Sequence, residues 1–418
     1  MTRLSRLVAR TAPPPVMEAR RWLAGVDFPD RRPLINLSQA APVDPPPEAM
    51  REAMAEMLRS EPDTHLYGPV LGLPALRSEI AWRWSTLYGG EIEPDEVAIT
   101  AGCNQAFCTA ITTLAEPGDA VMLPVPWYFN HKMWLDMAGL DTVPLPCGDG
   151  MLPDPEAARA LLTPRTRAIV LVTPNNPTGA EYPPELIAAF AALARERGLT
   201  LVLDETYRDF RASDERPHDL FADPSWRDTL VHLYSFSKSF HLTGHRTGAM
   251  IASAERLAEA EKVLDTVTIC PPQLGQKAAL WGLRNLSDWL AGERAEILAR
   301  RAAAIAALSA LPGWRLLGCG AYFAYVEHPH PLPSNELAPL LVRDLSLLML
   351  PGTMFAPSPP SAGEGAAARQ LRMAFANVST GGLRTLGGGA LDVSLLGMSY
   401  LDRFASIAIE GDRMTLRR

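Results

Sequence analysis

Across 418 residues the chain carries 39 basic against 47 acidic side chains, a formal charge of −8, with 47% apolar and 21% charged residues. Such a length exceeds one small domain and suits two, or one large domain with an appendage, and the composition is that of a globular protein with a sizeable core. The acidic balance offers no electrostatic reason to hold nucleic acid or an anionic membrane surface, and no run approaches the roughly 18 uninterrupted apolar residues of a membrane span, so neither partner is expected.

The five cysteines, Cys103, Cys108, Cys147, Cys270 and Cys319, include no C-x-x-C pair. Neither a zinc site nor a dithiol motif is indicated, no metal is expected, and scattered free thiols suit a cytoplasmic location. Met1 to Arg10 is basic through Arg3, Arg6 and Arg10 but lacks the apolar core of a secretory signal. Pro13, Pro14, Pro15, Pro29, Pro33, Pro42 and Pro45 break the first 45 residues, which predicts a segment wandering over a surface. A helix is expected from Glu48, after Pro46 and Pro47, and another over Leu73 to Tyr88. Short β-type runs then alternate with helical ones. Val97–Thr100, Ala120–Leu123, Thr142–Leu145, Ala168–Val172, Leu199–Leu203, Leu230–Tyr234 and Gly248–Ile251 read as buried strands, with helices such as Gln105–Leu114 and Pro184–Arg197 between them. This alternation predicts an α/β fold, a seven-stranded and mostly parallel sheet sandwiched by helices. After about Asn285 an alanine- and arginine-rich helix (Trp289–Leu308) leads into strands near Ala321–Val326 and Arg372–Phe375, a smaller α+β domain. The expected division is 1–46 as an N-terminal segment packing on the small domain, 47–288 as the large domain and 289–418 as the small one. From Ser379 onward glycines dominate (Gly381, Gly382, Gly387, Gly388, Gly389), and no element is assigned.

Ligands of such sheets sit beyond the carboxyl ends of the strands, so the residues after each strand carry the chemical argument. Ser235-Phe236-Ser237-Lys238 follows a strand directly, with Arg246 eight residues beyond the lysine. A desolvated amine there is nucleophilic and forms imines readily, an arginine can grip a phosphate with a forked pair of hydrogen bonds, and Ser235 adds a hydroxyl. Alone, this short motif would pass for a surface lysine. The apolar run 199–203 ends in Asp204-Glu205-Thr206-Tyr207, and a carboxylate at the end of a buried strand needs a cationic partner such as a protonated pyridine nitrogen, unless it merely caps a helix. Tyr207 can set its hydroxyl beside such a ring's phenolic oxygen. Thr173-Pro174-Asn175-Asn176-Pro177-Thr178-Gly179 is more constrained than a simple turn requires and offers the Asn176 amide. Ala101-Gly102-Cys103-Asn104-Gln105 opens a helix with free N–H groups that suit phosphate.

Taken together, Ser235-x-Ser237-Lys238 with Arg246, Asp204-x-x-Tyr207 and Asn176-Pro177-Thr178-Gly179 resemble the class I/II aminotransferases, fold-type I enzymes that use pyridoxal 5′-phosphate. The resemblance covers about Asn36 to Asn377. It implies that Lys238 carries the cofactor as a Schiff base, and that Asp204, Tyr207 and Asn176 hold its ring. It also implies that Gly102, Cys103, Asn104, Ser235, Ser237 and Arg246 form the rest of its seat. Tyr67, followed by Gly72-Leu73-Pro74-Ala75-Leu76-Arg77, looks like the segment whose tyrosine reaches the phosphate of a neighbouring subunit, so a homodimer with shared active sites is expected. Pro126-Trp127-Tyr128-Phe129-Asn130-His131 looks like the segment whose aromatic stacks on the ring. Tyr128 takes that place, or Trp127 if the register slips by one, and His131 resembles a histidine that supports the aspartate. Gly320-Ala321-Tyr322-Phe323 and Pro351-Gly352-x-x-Phe355 are similar to blocks of the small domain. Leu371-Arg372-Met373-Ala374-Phe375-Ala376 matches the block whose arginine, here Arg372, grips the substrate α-carboxylate, and Asn176 and Ala40 complete the expected substrate contacts.

The implied reaction is ping-pong transfer of an amino group from an L-amino acid to a 2-oxo acid, with Lys238 as the general base. Three departures stand out. Alanine replaces the usual glycine near Ser38–Pro42. No arginine stands at Cys270-Pro271-Pro272-Gln273, where some dicarboxylate-specific relatives carry one. The glycine-rich end is unlike a terminal amphipathic helix. Rival readings are another reaction on the same scaffold (a C–S or β/γ-elimination lyase, a cyclase or an amine oxidase), an aminotransferase-like sensor module, and a phosphate-binding protein without lysine chemistry.

Overall fold

The computed structural model describes residues 4–30, 32–358, 364–385, 406–410 and 413–417. The proline-broken start lies mostly exposed over the surface, as its composition suggested, but it is not without regular structure. Helices form at Arg6–Arg10 and Pro15–Arg21. Pro15 stands at the first position of its helix, where no N–H is needed and the ring presets φ, so prolines that looked like breakers start a helix instead. Ala19 of that helix is fully buried. Further on, β1 (Ile35–Asn36) pairs in parallel with Leu347–Leu348, which joins the segment to residues more than 300 positions away.

The large sheet contains β2 (Val97–Thr100), β3 (Ala120–Val125), β4 (Asp141–Pro146), β5 (Thr166–Val172), β6 (Thr200–Asp204), β7 (Leu230–Ser235) and β8 (Gly248–Ile251). They lie in the order β2-β8-β7-β6-β5-β3-β4, with β8 antiparallel to both neighbours and the other pairs parallel. The seven expected strands are all present. Helices cover both faces, and separate apolar clusters fill the two sides. Because both faces are covered, β6, β7 and β8 are buried along their whole length, which is why they read as continuous apolar runs rather than alternating ones.

Several helices escaped the sequence reading. Ser334–Leu345 contains Pro339, and Gln273–Asn285 contains two glycines, which dilute the helical signal. One of them, Gly275, has a reason to be small: a Cβ there would lie 2.4 Å from Thr247 Oγ1.

The long helix Ser287–Ser309 leads into a second, antiparallel sheet. Its strands are β9 (Arg315–Gly320), β10 (Phe323–Glu327), β12 (Leu350–Pro351) and β13 (Gln370–Ala374), ordered β12-β13-β10-β9, while β11 (Leu347–Leu348) is the partner of β1. Beyond the short helix Thr380–Thr385, Gly387, Gly388 and Gly389 lie outside the described residues. The backbone of β14 (Ser406–Glu410) pairs antiparallel with β15 (Arg413–Arg417). Among the described residues, no helix is long and apolar enough to cross a membrane.

The two sheets meet at the constrained turn after β5. Asn175 Oδ1 accepts from the Thr178 amide (3.1 Å) and hydroxyl (2.8 Å), and the Gly179 amide donates to Asn175 O at 2.7 Å. Gly179 has φ +74°, and a Cβ on it would stand 2.4 Å from Gly320 N and 2.6 Å from Phe323 O. Both backbone conformation and close approach therefore require glycine. Gly179→Ala should destabilise the fold by about 2–3 kcal/mol, the combined scale of a left-handed non-glycine residue and an overpacked contact, read as a lower midpoint in chemical denaturation.

Candidate active site

The carboxyl ends of β6 and β7, the turn after β5 and the opening of the helix Cys103–Thr112 converge with residues 38–41 and β13 around one cavity of about 420 Å³. Of the residues expected there, Ala40, Cys103, Asn104, Tyr128, Asn176, Asp204, Tyr207, Ser235, Ser237, Lys238, Arg246 and Arg372 all line it.

Lys238 belongs to a single helical turn, Phe236–Ser239, that starts as soon as β7 ends. The Ser235 hydroxyl caps the turn by accepting from the Ser237 amide at 3.2 Å. Lys238 Nζ donates to Ala40 O at 2.7 Å and lies 5.9 Å from the centre of the Tyr207 ring. Burial, and then the positive charges of Arg246 and Arg372, lower its pKa to about 8. About half of this amine is thus unprotonated, and so nucleophilic, near pH 8.

Asp204 ends β6 on the buried sheet. Its Oδ1 accepts from the Thr206 amide (2.9 Å) and hydroxyl (2.7 Å), and its Oδ2 lies 3.5 Å from His131 Nε2. Burial alone would raise its pKa, but the bonds from His131 and Thr206 outweigh that and hold it below the usual carboxylate value. The buried carboxylate is ionised. His131, expected to support it, is itself fixed by a stacked Phe107 ring 3.8 Å away.

Gly102 does not line the cavity. It stands behind Arg246, where φ +87° and a would-be Cβ 2.1 Å from Arg246 Nη2 exclude a larger residue. Arg246 Nη1 donates to Thr243 O at 3.0 Å and to Ser237 Oγ at 3.4 Å, which keeps its guanidinium beside the two serines and the helix opening at Cys103. Burial and the Asp204 charge push the Cys103 thiol well up, so it stays neutral. Between the two aromatic candidates the structure brings Tyr128 to the cavity. Its hydroxyl accepts from Asn130 Nδ2 at 2.9 Å, while Trp127 packs in the core cluster beneath the sheet. Tyr67 lies outside the cavity and is 80% exposed.

Arg372 projects from β13 and is almost wholly buried. Nη1 donates to Asn176 Oδ1 at 3.1 Å, Nη2 donates to Ser38 O, and Nε has no protein partner. Burial lowers its pKa to about 10 although Tyr207, Tyr128 and Tyr325 oppose the shift. Among the described residues no carboxylate pairs with it. Pro14, Val16, Gln39, Phe129, Asn130 and Thr206 also line the cavity, and the sequence reading did not place them there. Thr206 could have been found from the Asp-x-Thr spacing of an Asx turn. Pro14 and Val16 carried no local signal.

Comparison with known proteins agrees with this geometry. Residues 32–386 match the family model described as aminotransferase class I and II. The chain belongs to that family. It is 29% identical over 348 residues to an aspartate/prephenate aminotransferase of Thermus thermophilus, covering 81% of this chain and 86% of the relative. It is 32% identical over 281 residues to a valine–pyruvate aminotransferase of Mycobacterium tuberculosis, covering 66% and 70%. Among solved structures, the Thermus thermophilus aspartate aminotransferase with maleate superposes with a TM-score of 0.82 at 28% identity, over 93% of this chain and 98% of that one. A methionine aminotransferase of Escherichia coli gives 0.81 at 25% identity, over 94% and 99%. The enzyme is a transaminase, and its fold is fold type I.

The lowered pKa of Lys238 is directly testable. In cofactor-free aminotransferase, amine-selective labelling of Lys238 should rise with pH through a midpoint near 8. Peptide mapping across a pH series measures it.

Proposed function

We propose that this aminotransferase transfers the amino group of an L-amino acid to a 2-oxo acid by a ping-pong cycle, with pyridoxal 5′-phosphate carried on Lys238. The charge balance of the cavity supports the reading. Lys238, Arg246 and Arg372 line it, and Asp204 is the one carboxylate among the described lining residues. Such a cavity favours anions, and a phosphate together with an α-carboxylate supplies two of them. The donor set fits the cofactor: an amine of lowered pKa, an ionised buried aspartate, and an arginine held beside two serine hydroxyls.

When bound, pyridoxal phosphate supplies an aldehyde for the amine and a ring that accepts the electron pair released at the substrate Cα. In this reading Arg246, Ser235, Ser237 and the chain from Gly102 to Asn104 hold the phosphate. Asp204 holds a proton on the pyridine nitrogen, Tyr207 and Asn176 bond the ring oxygen, and Tyr128 covers one face. Arg372, with Asn176 beside it, fixes the α-carboxylate, and Ala40 borders the substrate. Lys238, in its neutral form, takes the proton from the substrate Cα. Tyr67, exposed next to an exposed Leu66, serves the site of a second subunit, so the active unit is a homodimer. The division at 1–46, 47–288 and 289–418 belongs to the same proposal, as does a cytoplasmic location, which the five free thiols suit. An elimination, cyclisation or oxidation on this scaffold finds no support in the relatives named above, each of which is an aminotransferase.

Lys238→Ala should abolish the yellow chromophore of the loaded enzyme and lower turnover by at least about a thousandfold, within the range for loss of a general base. Borohydride treatment of the parent enzyme should leave the cofactor on the peptide containing Lys238, and a reduced adduct elsewhere would overturn the assignment. Arg372→Ala should lower kcat/KM by about a hundredfold, chiefly through KM, as expected for two charge-assisted hydrogen bonds. Sedimentation should show a dimer, and a fully active monomer on dilution would remove the shared site.

A further inference from the structure

We infer that the amino donor carries an uncharged, apolar side chain and that the N-terminal helix Pro15–Arg21 selects it; this rests on the aminotransferase reading above. The first ground is a charge inventory. The three cations that line the cavity are all engaged in that reading: Lys238 by the cofactor, Arg246 by its phosphate and Arg372 by the α-carboxylate. Among the described lining residues no fourth cation remains for a second carboxylate.

The second ground is the wall itself. The Arg372 guanidinium lies 5.1 Å from the Phe355 ring, and that ring is 5.6 Å from Phe129, which lines the cavity. Phe129 and Phe355 share one buried cluster with Ala19 of the helix, and Val16 packs against the same cluster while also lining the cavity. Phe129 and Val16 thus line the cavity with the buried Phe355 and Ala19 behind them, and Pro14 and Ala40 stand at the edge of this apolar wall. A methyl or thioether group against it is removed from water, whereas a carboxylate there would lose its hydration without gaining a partner.

Arg20 of the same helix does not line the cavity. It is exposed and donates to Gln39 Oε1 at 3.0 Å, so it already holds the helix to a cavity-lining residue. Lys132 is engaged by Asp136 at 2.5 Å and lies over Trp127, and it does not line the cavity. Pro14 and Val16, with Phe129, thus set the character of the wall, and Val16 is the specificity-determining position.

The test uses the full-length enzyme loaded with pyridoxal phosphate and follows conversion of the cofactor band by single amino acids. Leucine, methionine and phenylalanine should react with kcat/KM at least thirtyfold above aspartate and glutamate. Val16→Lys should narrow that ratio at least tenfold by raising the value for aspartate. Val16→Asp should lower the apolar donors at least tenfold, mainly through KM. Should either variant fail to take up the cofactor, Val16→Ala replaces it, with a loss of about fivefold for leucine and methionine and none for aspartate. Arg20→Gln should preserve the parental ranking. If aspartate or glutamate equals the apolar donors in the parent enzyme, whether through Arg20 or through a cation of a second subunit, the inference is overturned and the aminotransferase reading stands. If the Val16 variants keep the parental ranking within twofold, the helix is not the selector and the inference fails likewise. If no amino acid converts the cofactor, both readings fall together.

Discussion

Three positive side chains brought into one partly dry cavity against a single carboxylate repel one another, and the architecture around the site restrains that repulsion. Lys238 meets it by lowering its proton affinity toward neutrality. Arg372 is held by Asn176 and by the backbone of Ser38, both neutral acceptors that fix its direction without cancelling its charge. Arg246 is braced by Thr243 O and Ser237. The restraint leaves the cavity positive, which favours anionic ligands.

The site is built across the join between two sheets, so its shape depends on contacts between them. Lys238 comes from the large sheet and donates to Ala40, which lies just after β1. Arg372 comes from the small sheet and reaches Asn176, on the turn after β5. Tyr207 follows β6, yet its ring packs on Tyr322 and Phe323 of the small sheet at 5.3 and 5.1 Å. Gly179 sits against Gly320 with no room for a methyl group. Each of these contacts sets the distance between the Lys238 amine and the Arg372 guanidinium.

Behind Asp204 the next residue does different work. Glu205 points to the other side of the chain, where Tyr88 donates to it and His232 Nε2 lies 2.8 Å away. The Arg208 guanidinium bonds Tyr88 at 3.0 Å and stacks 4.0 Å over Trp84. Burial alone would keep Glu205 protonated, but His218 and His232 hold its pKa well below the usual value. A buried ionic network of this kind anchors the end of β6, and with it the position of the adjacent Asp204 carboxylate.

Much of the catalytic end of the large sheet was legible in the residues themselves. Buried strands are apolar throughout, turns after them are marked by proline and glycine, and Asp204, Lys238 and Asn176 each end or follow a strand within a few positions, so local order placed them at one end of the sheet, whereas Arg246 stands just before β8. Arg372 and Tyr128 were located by resemblance to a family pattern, and the choice of Tyr128 over Trp127 needed the fold, because one position along the chain turns a side chain from cavity to core. The helix Pro15–Arg21 was missed, since a proline that breaks a helix in its interior starts one at its first position. Val16 and Pro14 could not be assigned to the site from sequence, because their place depends on a short helix packing on Phe129 and Phe355, residues more than a hundred positions away. Local chemistry along the chain thus determined which groups can react; only long-range packing decided what surface a substrate side chain meets, since apolar burial is non-directional and leaves no motif.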